Sequence, residues 1–215
     1  MARATTPMTA GELREAVYLE LLRARAVAYP SPPFGHHPNF RGGPQAAAHL
    51  LTHLLGEVLR PGQTVLSYPD YVLRPVRRGL LEGGVNVVVP AQHGPGYRLL
   101  RSGQADPQRA SSIAGAEREG EPVAALPYLS ACLVAAVALD GAGRWLGKGY
   151  GFALPEAARR KPCYLIAHPL MIVGSVMGSV VGGLPEVEGG VSAYATPQGL
   201  VRAAPCAPAD SGETG

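Results

Sequence analysis

Short apolar runs without polar alternation constrain this chain most. "VNVVVP" (85–90), "ACLVAAVAL" (131–139) and "CYLI" (163–166) carry almost no polar side chain. A strand with one wet face alternates apolar and polar residues, whereas a short continuous apolar run between turn signals fits a strand buried on both faces. Such strands need helices above and below them. Helical patterns between the runs supply that cover, so the expected fold is α/β: three layers, with a largely parallel central sheet flanked by helices. At 215 residues the chain fills one ample core. A single domain is expected over 8–203, with disordered ends at 1–7 and 204–215.

The first helix is expected over "TAGELREAVYLELLRARA" (9–26), with Thr9 as N-cap and Glu12 completing a capping box. Leu13, Val17, Leu21 and Tyr18 form its apolar stripe. A Pro/Gly loop, "YPSPPFGHHPNFRGG" (29–43), is long enough to suggest function, and Pro44 then opens a second helix. Downstream lie a strand in "QTVLSYPDY" (63–71), a helix in "RPVRRGLLEGG" (74–84) and a second strand at 85–90. Residues 91–121 read as polar and irregular. A third strand is expected at 127–139, a short helix in "PEAARRK" (155–161), a fourth strand at 163–173 and a fifth at 191–201. In parallel sheets ligands bind beyond the carboxyl ends of the strands. "YPDY", "LGKGYGF" and "AHPLM" fall there.

Composition narrows the classes. Nineteen Lys and Arg against sixteen Asp and Glu give a net charge of +3 without a long basic run, which argues against a nucleic-acid partner. Three scattered cysteines, Cys132, Cys163 and Cys206, make neither a disulfide framework nor a zinc site, and Cys132 reads as a small buried hydrophobe. The N-terminal residues lack a signal peptide's apolar core, so a reducing, cytoplasmic setting is expected. The stretch 165–184 is long enough to span a bilayer and has small residues at four-residue spacing, but His168-Pro169 interrupts it. No membrane partner is expected. Nothing in the sequence sets an oligomeric state.

The chemistry concentrates in "RWLGKGYGFAL" (144–154). A Walker A loop fails at both ends, with Ala142 for the first glycine and Gly149 for the magnesium-holding Ser/Thr. A dinucleotide fingerprint fails because Gly147, Gly149 and Gly151 alternate. Two readings stay open: a backbone nest for phosphates, helped by Lys148 and the helix after it, or a tight structural turn. His49 and His53 have zincin spacing without its glutamate, which favours a surface pair. His36, His37, His168 and Asp70 lie where a pocket could form, and Asp140 reads as a turn residue. No nucleophile triad is legible.

Taken together, the pieces resemble the 5-formyltetrahydrofolate cyclo-ligase (methenyltetrahydrofolate synthetase) family, particularly its divergent synthetase-domain branch. The likeness runs from about Glu12 to Pro197. It rests on "ELREAVYLELL", "YPSPPFGHHPNFRGGPQAA", "YPDYVLRPVRRGLLEGG", "GRWLGKGYGF", "AHPLMIV" and "YATP", in that order. The resemblance implies a cyclo-ligase-like fold that binds ATP, Mg2+ and a reduced folate. ATP would activate the formyl oxygen of 5-formyltetrahydrofolate, and N10 would close the ring to 5,10-methenyltetrahydrofolate. It assigns phosphate contacts to Arg14, Gly147, Lys148, Gly149, Tyr150, Gly151 and Phe152, with Lys148 and Arg144 catalytic. Phe40, Tyr68, Asp70 and His168 would meet the folate, and Glu188 would hold the metal.

Departures from the family pattern fall in the same places. A lysine is replaced by Ala10, an arginine by Trp145, a tyrosine by Phe152 and a metal-linked acid by Leu154. Near the C-terminus a His-Asp pair becomes Val187-Glu188, and a later aspartate becomes Ser192. The expected function is therefore an ATP-dependent cyclo-ligase. The alternative is a non-catalytic relative that binds a folate, a nucleotide or a protein.

Overall fold

The computed structural model describes residues 8–173 and 184–203. The expected disordered ends, the glycine-rich stretch 174–183 and Cys206 lie outside the described residues. Helix α1 (Ala10–Arg23) begins as its sequence predicts: Thr9 Oγ1 accepts from the Glu12 amide, and the Thr9 amide donates to the Glu12 carboxylate at 2.8 Å. Leu13, Val17, Tyr18 and Leu21 are all buried. Helix α2 (Gly43–His53), with Pro44 in its first turn, continues into one wider π turn (Leu54–Val58). His49 is exposed while His53 is buried, so the two form no metal pair.

Strand β1 (Thr64–Ser67) leads through a short turn (Tyr71–Leu73) into α3 (Arg74–Glu82) and then β2 (Asn86–Pro90). Residues 91–121 are more regular than their sequence suggests. They form β3 (Tyr97–Leu100), α4 (Pro107–Ala110), α5 (Ile113–Glu119) and the start of β4 (Glu121–Val123). Each buries only one or two side chains, Leu99 and Leu100 in β3, Ala110 in α4 and Ala116 in α5. Ion pairs join them at the surface, Arg98 to Glu117 at 2.8 Å, Arg109 to Glu119 at 2.9 Å and Arg101 to Glu121 at 2.9 Å. That leaves little hydrophobic period to read.

The expected third strand is two strands. Ala131–Leu133 is β5, whereas Ala138–Leu139 is β6 in a second, smaller sheet with β7 (Arg144–Leu146). Every residue from Ala131 to Asp140 is buried, so no polar residue marks the break. Helix α6 (Glu156–Arg159) precedes β8 (Cys163–Ile166), which gives way to a tight turn (Pro169–Met171) at the proline. Strand β9 (Gly189–Gly190) closes the small sheet, and the expected fifth strand is a hairpin of β10 (Ala193–Thr196) and β11 (Gly199–Arg202). No described helix is long and apolar enough to cross a membrane.

The main sheet has eight strands in the order β11-β10-β8-β5-β1-β2-β3-β4. Its five central strands, β10, β8, β5, β1 and β2, are parallel, and antiparallel strands flank them. Cys132 and Cys163 stand opposite one another across β5 and β8 as buried free thiols. From β1 the chain crosses through α3 to β2 in one direction. From β5 it crosses through α6 to β8, then on to β10, in the other. Because such crossovers are right-handed, α3 and α6 cover opposite faces of the sheet. A crevice therefore opens where the direction reverses, beyond the carboxyl ends of β1 and β5.

Candidate functional site

The glycine run sits at the end of β7, and each of its glycines faces a charged side chain. At Gly147 a Cβ would lie 2.6 Å from a Glu188 carboxylate oxygen. Glu188 Oε1 accepts from the Gly147 amide at 2.8 Å, while the Glu188 amide donates to Trp145 O at 2.9 Å. Gly149 has φ +89°, and a Cβ there would lie 3.2 Å from the Arg14 guanidinium. Gly151 has φ +99°, and its Cβ would lie 3.3 Å from Lys148 Cε. The glycines thus serve two purposes, a left-handed backbone at alternate positions and close approach of charged groups.

Arg14 comes from the second turn of α1. Its Nε donates to Gly147 O at 2.7 Å, and its Nη2 lies 3.5 Å from Glu186 and 4.0 Å from Glu188. That nitrogen is buried and makes no hydrogen bond of its own among the described residues. Tyr150 leaves its ring exposed and donates its hydroxyl to Gly35 O in the Pro/Gly loop. Lys148 Nζ sits over that ring and 3.5 Å from Asp70.

Asp70 follows the carboxyl end of β1 and joins the two loops. His37 Nδ1 lies 2.8 Å from Asp70 Oδ1, and His37 Nε2 accepts from the Lys148 amide at 3.3 Å. Burial pushes the Asp70 carboxyl up, but the contact with His37 Nδ1 and the charge of Lys148 outweigh it and hold it below the usual carboxylate range. Beneath lies Arg77, 2% exposed. It donates to Tyr68 O at 2.8 Å, Asp70 O at 3.0 Å and Ser111 O at 2.9 Å. Burial lowers its guanidinium to about 10. Arg77 is thus a cationic peg under the backbone that presents Asp70.

Beside the loop is a cavity of about 540 Å³, walled by Tyr68, Trp145, Gly149–Leu154, Arg159, Cys163, Glu186 and Glu188–Gly190. Tyr68 makes edge contacts with Trp145 and Phe152, at 6.3 and 5.2 Å between ring centres. Burial pushes the Tyr68 hydroxyl well above its ordinary range, so it stays protonated. Tyr68, Gly149, Tyr150, Gly151, Phe152 and Glu188 lie in the cavity wall, and Arg14, Gly147, Lys148 and Asp70 lie against the same loop outside that wall. Phe40 and His168 pair with each other instead, 5.7 Å between centres, and neither walls the cavity. Arg144 turns to Asp140, Nε to Oδ2 at 2.7 Å, and is 45% exposed.

Two contributors, Glu186 and Arg77, escape a reading of the sequence, whereas His37 stands among the loop histidines already placed near a pocket. Glu186 looks like any loop acid. Arg77 stands among three arginines, though its place beside Val76, Leu80 and Leu81 on the helix's apolar face is a usable signal.

Glu186 and Glu188 are the carboxylates here that a hard cation could reach, and both lie within 4.0 Å of Arg14 Nη2. Glu186 and Glu188 flank the loop, and Arg14 keeps a buried nitrogen free of hydrogen bonds. No group of three or more His, Cys, Asp or Glu among the described residues could hold a metal by itself. Magnesium typically takes one or two carboxylates and completes its shell from phosphate and water.

The fold and this crevice define an α/β protein with a loop site at its topological switch point. Solved structures share that architecture. One is the NMR structure of Aquifex aeolicus 5,10-methenyltetrahydrofolate synthetase, which matches 96% of this chain and 100% of its own at a TM-score of 0.52. Sequence identity over the match is 16%, so the likeness is one of fold. No family model and no curated protein matches the sequence.

Proposed function

We propose that the protein is a divergent member of the cyclo-ligase family, an ATP- and Mg2+-dependent 5-formyltetrahydrofolate cyclo-ligase that produces 5,10-methenyltetrahydrofolate. One observation carries the reading: Arg14, Lys148, Asp70 and the Gly147–Gly151 loop converge beyond β1, beside a cavity of about 540 Å³. ATP, when bound, supplies the phosphoryl group that activates the formyl oxygen. The chain's own contribution is positioning and charge neutralisation.

Lys148 and Arg14 offset negative charge at the loop, and backbone amides freed by Gly149 and Gly151 add donors. Asp70 orients Lys148, and Glu188 with Glu186 would hold the metal. The walls of Tyr68, Trp145 and Phe152 keep water from the reacting group. Phe40 is 1% exposed and serves the core rather than the folate, and only His168, packed edge-on against it, is left in this reading for the far part of the folate. Burial lowers His168's affinity for a proton, which keeps it a neutral hydrogen-bonding group. Arg144 acts only by leaving Asp140. The setting is cytoplasmic, in keeping with the free thiols of Cys132 and Cys163.

The pairing of both loop cations with carboxylates favours a second reading, a folate or nucleotide binder without turnover. Purified protein given 5-formyltetrahydrofolate and Mg·ATP separates the two. The first reading predicts the absorbance of methenyltetrahydrofolate. The second predicts thermal stabilisation by either ligand without product.

A further inference from the structure

Glu188 lies where an anion bound to the glycine loop would lie. Its carboxylate takes the Gly147 amide at 2.8 Å and stands 4.0 Å from Arg14, while Glu186 stands 3.5 Å from the same guanidinium. A Cβ at Gly147 would lie 2.6–2.7 Å from the Glu188 oxygens, so a side chain there would push the carboxylate off the amide. Glu186 and Glu188 thus set two carboxylates on one guanidinium at the mouth of the loop, while Arg77 stands beneath Asp70 and Arg159 lines the cavity. Those two carboxylates disfavour a bare polyphosphate at the Gly147 amide and attract a divalent cation there.

We infer that Glu188 is a specificity-determining residue, an internal anion that keeps metal-free phosphates out of the loop and admits only a metal-complexed polyphosphate. The inference rests on the proposed nucleotide site and deepens it. With a divalent cation present, the carboxylate finds a partner better than the Gly147 amide, and that amide becomes free for a phosphate oxygen. With no cation, a phosphate must displace a carboxylate already bonded and must do so beside the negative charge of Glu186.

The test uses inorganic tripolyphosphate, which carries neither adenine nor folate, in calorimetric titrations with Mg2+ or with EDTA. Wild-type protein should bind tripolyphosphate with Mg2+ and at least about tenfold more weakly without it. Glu188→Ala, which removes both charge and acceptor, should bind metal-free tripolyphosphate about tenfold more tightly than wild type. Glu188→Gln, which keeps an acceptor for the Gly147 amide, should fall between. Fluorescence of the single tryptophan, Trp145, checks that each variant is folded.

Metal-free affinity unchanged or reduced in Glu188→Ala overturns the inference, and does so alone if wild type still forms methenyltetrahydrofolate. Failure of wild type to bind the polyphosphate under either condition overturns the inference and the nucleotide site together. A gain in Glu188→Ala without any folate product upholds the inference and removes only the cyclo-ligase reading.

Discussion

Gly149 and Arg77 show how single residues set the site. Gly149 holds φ +89°, and an added Cβ would lie 3.2 Å from the Arg14 guanidinium, so Gly149→Ala combines backbone strain with a tight contact. Urea denaturation should register a loss of about 1–2 kcal/mol, and Arg14 should be pushed off Gly147 O. Arg77→Met keeps the volume but strips donors from the carbonyls of Tyr68, Asp70 and Ser111. Leaving such groups unpaired should cost on the order of 3 kcal/mol in the same assay. A loss near zero would mean that water replaces the guanidinium and that it is no peg. Of these two residues only the glycine was legible in the sequence. Alternating glycines announce themselves, whereas a buried arginine differs from its surface neighbours Arg74 and Arg78 only by its angle around the helix.

At the scale of elements, the carboxyl end of β1 does the most. It carries Tyr68 into the cavity wall and Asp70 between His37 and Lys148. Because the Asp70 carboxyl is held below its ordinary value of about 3.9, it contributes stability that is present above about pH 4 and lost as pH falls through its lowered folded value. Denaturation midpoints followed from about pH 6 down to about pH 3 should therefore fall more gently for Asp70→Asn than for wild type. Parallel curves would mean that Asp70 keeps its unfolded-state pKa. The elements themselves were legible where apolar period was strong. Helix α1, helix α3 and strands β1, β2 and β8 occupy the expected stretches. Strands β5 and β6 merged into one because the bend between them is as buried as its flanks. β3, α4 and α5 escaped because each buries only one or two side chains, too few to show a period.

At the scale of the whole molecule, the order of strands places the site. Apolar strands alternating with helices implied a parallel sheet. They did not reveal that the winding reverses between β1 and β5, which depends on pairings distant in sequence. Nor did they reveal the small β6-β7-β9 sheet, whose strands are two or three residues long. That small sheet delivers the glycine loop to the crevice, so the site needs both sheets in register. If this assembly performs the proposed cyclo-ligase chemistry, product stoichiometry shows it. Wild-type protein with 5-formyltetrahydrofolate and Mg·ATP should form methenyltetrahydrofolate and release phosphate in equal amounts. Lys148→Met should lower the rate roughly 100-fold to 1,000-fold while leaving the protein folded. Absence of both product and phosphate from folded wild-type protein, or product formed equally well by Lys148→Met, would contradict the account.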